Sequence, residues 1–110
     1  MTLSEIEAEI SKHMPLDEFL RIHERLAYLR KEEENKLSAL AELQKTYLAA
    51  YTEQQQEMVK NTVAQIRELS RKTREEIRSL NSIVFQHMPL PLAKELYERY
   101  LEARRDHNPK

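Results

Sequence analysis

Two histidine-methionine pairs, His13-Met14 and His87-Met88, each followed by proline and leucine, are the residues of this chain that come nearest to chemistry by type and spacing. Imidazole nitrogen suits nickel, cobalt, copper or zinc, and thioether sulfur suits softer ions, so two such pairs brought together could hold a divalent transition metal. Glu9, one helical turn before His13, offers an oxygen donor, and His23 with Glu24 lies about two to three turns beyond the first pair. The same residues have a plainer use: Met14 and Met88 can fill a corner of a core, and a histidine ahead of a proline sits well at a helix C-terminus. The chain has no cysteine and no compact pair of histidines, which favours the plainer use.

Tyr28, Tyr47, Tyr97 and Tyr100 offer apolar area with a polar tip, as a partner or client surface requires. At helical spacing they also suit a seam between helices. Carboxylates are abundant, but on solvated helices they lack the apolar pocket that raises a pKa for acid-base work. No nucleophile is set beside a histidine, and an enzyme is not expected.

Composition narrows the field further. Charged residues make up 34% of the 110 and aromatic residues only 6%, which fits an elongated helical protein with narrow apolar seams better than an ordinary globular core. Glycine is absent, so glycine-rich phosphate loops and dinucleotide fingerprints are excluded in their usual form. Eighteen basic residues against nineteen acidic ones leave a net charge of -1 with no basic stripe, and nucleic acid is not an expected partner. No apolar run approaches the roughly 20 residues of a membrane span. The acidic start "MTLSEIEAEI" is unlike a signal peptide, so the chain is expected to be either cytoplasmic or the soluble part left after a signal or anchor is removed.

The elements that must position these residues follow from periodicity and proline. Thr2 with Glu5, or Ser4 with Glu7, has capping-box spacing, and Leu3, Ile6 and Ile10 recur at helical intervals up to a corner at Pro15. Phe19, Ile22, Leu26, Leu29, Leu40, Leu43, Tyr47 and Ala50 then form one seam, broken once at Glu33 and Lys36. A second seam reads Val59, Val63, Ile66, Leu69, Thr73, Ile77, Leu80 and Val84. It stops at Pro89 and Pro91, which open a last helix striped with Leu92, Leu96 and Tyr100.

Thr52 with Gln55 is another capping-box spacing, and a turn at Tyr51 and Thr52 makes the two seams a hairpin. That turn sets Leu16 opposite His87 and His13 opposite Leu90, so the two "HMPL" copies share one end. It also sets Glu33 near Ser70 and Arg74, and Lys36 opposite Arg67, in one polar layer that can fix register. The repeat runs on weakly at the same offset of 74 residues (13 to 87), pairing Ile22 with Leu96, Glu24 with Glu98, Arg25 with Arg99 and Arg30 with Arg104.

A short helix, a proline corner, a long hairpin, a second corner and a final amphipathic helix resemble the periplasmic stress and metal-resistance proteins of the Spy, CpxP and CnrX type. "PLDEFLRIHERLAYLRKEEENKL" is similar to that family's first corner and second helix. "TREEIRSLNSIVFQHMPLPLAKELYERYLEARR" is similar to its third helix, second corner and fourth helix. Pro91 and Tyr97 fall where the family has a proline and a following aromatic, whereas Ala93 stands in place of its glutamine, and glutamates replace the histidine pair of the CnrX-like first helix. The resemblance implies a periplasmic protein that holds unfolded clients without ATP, or one that senses a metal and signals to a protein partner.

The expected molecule is therefore all-α: a long antiparallel helical hairpin flanked by two short helices, one domain over residues 1–104 with a disordered tail at 105–110. A homodimer is expected, because two long and two short helices bury little in one subunit against the chain entropy. A cytosolic coiled-coil adaptor or regulatory partner, with no metal or client role, is the alternative.

Overall fold

The computed structural model describes residues 1–50 and 52–107. Among them the chain is all-α, with four helices: α1 Leu3–Ser11, α2 Leu16–Leu48, α3 Glu53–Phe85 and α4 Leu90–His107. α2 and α3 pack as the two arms of a helical hairpin. Tyr51, half of the expected turn, lies outside the described residues. The chain divides into two compact units, one of Met1–Leu26 with Ser79–Lys110 and one of Ala27–Arg78.

In the first unit, α1 starts with the Thr2 and Glu5 capping box: the Glu5 amide donates to Thr2 Oγ1 at 3.2 Å, and the Thr2 amide donates to Glu5 Oε1 at 3.4 Å. Both satisfy amides that a helix start leaves open. Ile6, Ile10, Phe19, Ile22, Leu26 and Val84 are each at most 2% exposed and form the centre of the core. Full burial of such a side chain contributes about 1.5–3 kcal/mol. Met14, Met88, Ala93, Leu96 and Tyr100 are buried around them.

The "HMPL" copies build the same corner twice. At the first, the amides of His13 and Met14 both donate to the Ile10 carbonyl, at 3.0 and 3.2 Å, and the Phe19 amide donates to the Pro15 carbonyl at 3.0 Å. At the second, the amides of His87 and Met88 donate to the Val84 carbonyl at 2.9 and 3.0 Å, and the Ala93 amide to the Pro89 carbonyl at 3.0 Å. Each proline ends one helix and opens the next with its carbonyl, while its missing amide costs nothing at a helix start. Each methionine turns inward and is 3% exposed. No positive φ is needed among the described residues, which is why a chain without glycine can make both bends.

In the second unit, Lys45 and Thr46 carbonyls accept from Ala49 as α2 ends, and α3 restarts on a box made by Thr52 and Gln55. The Gln55 amide donates to Thr52 Oγ1 at 3.1 Å, and the Thr52 amide donates to Gln55 Oε1 at 3.2 Å. Among its described residues Leu29 and Val59, 4% and 9% exposed, are the buried apolar side chains, with the polar Ser70 and Thr73 buried beside the seam.

Two details differ from expectation. Ser70, 4% exposed, takes the seam position assigned to Leu69, which is 53% exposed; the four-three-four spacing of Ile66, Ser70, Thr73 and Ile77 keeps the stripe on one face. α4 also runs to His107, so residues 105–107 are helical where a tail was expected. No proline or glycine interrupts it before Pro109, and the residues there tolerate a helix. Asn108, Pro109 and Lys110 lie outside the described residues.

Candidate functional site

Among the donors expected to form a metal site, Met14 and Met88 are buried, each 3% exposed, and help fill the core. His13 is half-buried and His87 exposed. Glu24 is exposed, and Glu9 pairs with Lys12 at 3.0 Å. Among the described residues, no group of three or more histidine, aspartate or glutamate side chains could hold a metal ion.

His23 is only 7% exposed, and its Nδ1 donates to the Phe19 carbonyl one turn earlier at 2.9 Å. Its ring lies 4.2 Å from the Phe19 ring and 4.9 Å from that of Tyr97, while Phe19 and Tyr97 meet edge to face at 6.3 Å. Stacking of this kind adds to area burial and fixes orientation. Burial, then the charge of Glu24 and the neighbouring Tyr100, push the Tyr97 phenol above the usual tyrosine range, with Arg104 opposing them. The cluster is an internal clamp of the first unit. Sequence analysis missed it, although one signal was present: His23 and Tyr97 occupy the same position in the 74-residue repeat.

The tyrosines expected on a partner surface divide. Tyr28 is 55% exposed, and Tyr47 and Tyr97 are half-buried. Tyr100 belongs to the core and not to the surface, because the stripe that holds Leu96 inward holds it as well.

In the second unit a polar layer interrupts the seam. Ser70 Oγ donates to Glu33 Oε1 at 2.5 Å, and Arg74 Nε lies 3.8 Å from the same oxygen. Lys36 Nζ donates to Thr73 Oγ1 at 2.5 Å, and Thr73 passes its own proton to the Leu69 carbonyl at 3.0 Å. Lys36 thus meets Thr73 and not Arg67, because a seam lysine finds the next inward position of α3 while Arg67 is exposed. Glu33 Oε2 is buried without a hydrogen-bond partner.

Between that layer and the hairpin turn the seam stands open. Leu40, Leu43 and Tyr47 of α2 face Val59, Val63 and Ala64 of α3 across a groove, and Gln44, Lys60 and Arg67 also line it. Lys60 Nζ lies 5.9 Å from the centre of the Tyr47 ring, within reach of a cation-π contact. Leu37, Leu48, Met58 and Leu69 of the same unit are 53–78% exposed. Two helices can cover only one side of each other's stripe, so much of this apolar area has no cover within the unit. Flexible methionine and amphipathic tyrosine are suited to contacts that must adapt.

Elsewhere the charged side chains form solvated ladders. Arg71 pairs with Glu68 at 2.6 Å and Glu75 at 2.5 Å, which raises the guanidinium pKa and lowers that of Glu68. Such i,i+3 and i,i+4 pairs support a helix. No protein-family model matches this chain, and no curated protein or solved structure matches it.

Proposed function

We propose that this chain is a non-enzymatic protein of the periplasmic stress or metal-resistance kind, acting as a homodimer and holding unfolded protein segments through apolar contacts. The open groove of the second unit carries this reading. Leu40, Leu43, Tyr47, Val59 and Val63 give a lined apolar channel, and exposed Leu37, Leu48 and Met58 belong to the same unit. Mixed charges on the flanking helix faces keep such a surface soluble. An extended apolar segment with acidic neighbours fits the channel, because Lys60 and Arg67 stand at its side. The resemblance in layout supplies the periplasmic setting, and the metal role is left aside in favour of client holding because Met14 and Met88 are buried.

The test is suppression of light scattering by a reduced, aggregating model client, without ATP. Wild-type protein at equimolar ratio is expected to delay aggregation, and Leu43→Asp with Val63→Asp to lose most of that effect while remaining helical by circular dichroism. No delay by the wild type, or an equal delay by the double variant, would overturn the client-holding reading.

A further inference from the structure

The groove of the second unit is charged along one edge only. Lys60 and Arg67 line it from α3, α2 contributes the uncharged Gln44, and none of its lining residues is acidic. Seven residues apart, Lys60 and Arg67 stand two turns and about 10.5 Å from each other along one edge of α3. The α2 edge is apolar. Leu37, Ala41, Gln44 and Leu48 follow one another in steps of four, three and four, so Leu37 and Leu48, 59% and 78% exposed, continue the flank that Gln44 lines.

The two cations have no carboxylate of their own. Arg71 holds Glu68 and Glu75, Arg99 holds Glu95 and Lys45 holds Glu42, whereas Lys60 and Arg67 form no ion pair among the described residues. For Arg67 the cause is in the sequence: the positions three and four residues away are Val63, Ala64, Ser70 and Arg71, none of them acidic. Lys60 has Glu57 three residues before it, but its Nζ stands 5.9 Å from the centre of the Tyr47 ring on the other wall of the groove.

We infer that Lys60 and Arg67 select the clients of this groove, which takes apolar segments of unfolded protein that carry carboxylates along one side in preference to uncharged or basic ones. The apolar run lies against Leu40, Leu43, Val63 and the α2 flank, and its carboxylates meet the α3 edge. Arg67 offers a planar fork that can take a carboxylate through two hydrogen bonds, and Lys60 offers a point charge. A carboxylate also competes with the Tyr47 ring for Lys60, because a charge-assisted hydrogen bond outweighs an exposed cation-π contact; the freed ring then adds apolar area. A basic segment meets like charges along the same edge and is disfavoured. Selection of this kind rests on client holding at the groove and names the clients held.

Three labelled peptides with one apolar run, flanked by glutamate, glutamine or lysine, test the selection by fluorescence anisotropy. At about 0.05 M salt the glutamate peptide is expected to bind about tenfold tighter than the lysine peptide, with the glutamine peptide between them, and the gap to narrow at about 0.5 M salt. Lys60→Gln with Arg67→Gln should close the gap while leaving the glutamine peptide within about twofold of its wild-type affinity. Both side chains are exposed, so the fold tolerates the change. Lys31→Gln with Lys72→Gln removes the same charge from exposed positions of the same unit that do not line the groove, and should leave the gap intact. Equal affinities for the three peptides, or a gap that both double variants close alike, would overturn charge selection while client holding stands. Self-association abolished by Lys60→Gln with Arg67→Gln would make a second copy the occupant and also overturn it. Binding of none of the peptides ends charge selection, and client holding falls with it when the wild type also fails to delay aggregation.

Discussion

His23 stacks on Tyr97 with ring centroids 4.9 Å apart and planes 30° apart, and the two residues hold the same position in the repeated halves of the first unit. The contact joins α2 to α4 at equivalent positions of the 74-residue repeat. Ile10 with Val84, Met14 with Met88, Ile22 with Leu96 and Leu26 with Tyr100 are buried in both copies around it.

Stability should respond to the Tyr97 phenol at alkaline pH. Its pKa is raised above 10.0 in the fold, by burial first and then by Glu24 and Tyr100. Below pH 10 the group is neutral in folded and unfolded chains, and its contribution is fully present; above it the unfolded chain ionises first, so stability is lost as pH rises through the folded value. The urea midpoint is expected to hold from about pH 8 to about pH 9 and to fall above about pH 10. Tyr97→Phe should fall less steeply, and parallel curves for the two proteins would refute this assignment.

Met14→Ala and Met88→Ala should have nearly the same effect. Each side chain is 3% exposed at the same point of the same corner, and truncation of a buried methionine costs about 2–5 kcal/mol. Denaturant unfolding monitored by circular dichroism measures both. A large cost at one position and none at the other would show that the corners are not equivalent in packing.

The polar layer predicts a sign change in a double-mutant cycle. Ser70→Ala leaves the Glu33 carboxylate, 17% exposed, with only Arg74 at 3.8 Å beside Oε1, and should cost about 1–3 kcal/mol. Glu33→Leu combined with Ser70→Ala removes both partners and should recover that loss, since apolar replacement of a buried polar pair is often neutral or stabilising. Independent, additive losses would show that the contact contributes nothing specific.

Thr52→Ala should lower stability by about 0.5–2 kcal/mol, because the Gln55 amide loses its acceptor at the start of α3. Thr52→Ser keeps the oxygen and should be close to neutral. Melting curves of the three proteins at one concentration decide the matter.

Much of the fold was legible in order along the chain. Proline positions set the corners, since a missing amide and a restricted preceding residue end a helix wherever they fall. Thr2 with Glu5 and Thr52 with Gln55 marked two helix starts, because capping is a contact between neighbours in sequence. Glu33 and Lys36 announced a polar layer, and the arithmetic of a turn near residue 52 put Ser70 and Arg74 beside Glu33. The same arithmetic failed for Lys36, whose partner Thr73 depends on which α3 residue turns inward and not on register alone.

The candidate sites were harder to read. A histidine, a methionine and a glutamate near a corner are compatible with metal binding as well as with a core; the missing cysteine and compact histidine pair favoured the core, and burial is a property the sequence does not display. Met14 and Met88 are buried, His23 is one layer of an aromatic stack, and Tyr100 lies in the core where a surface position was expected. Side-chain direction relative to other helices is a three-dimensional property, so the sequence could propose these groups but not sort them.

By itself the sequence determined four helices, two like corners and a hairpin, because caps, prolines and helical stripes act within a few residues of one another. Tertiary structure decided that the seam of the second unit stays open at its groove, that Phe85 faces solvent where Ser11 does, and that His23 meets Tyr97. Those outcomes depend on how much of each stripe a neighbouring helix can cover, and coverage is settled only when distant segments pack.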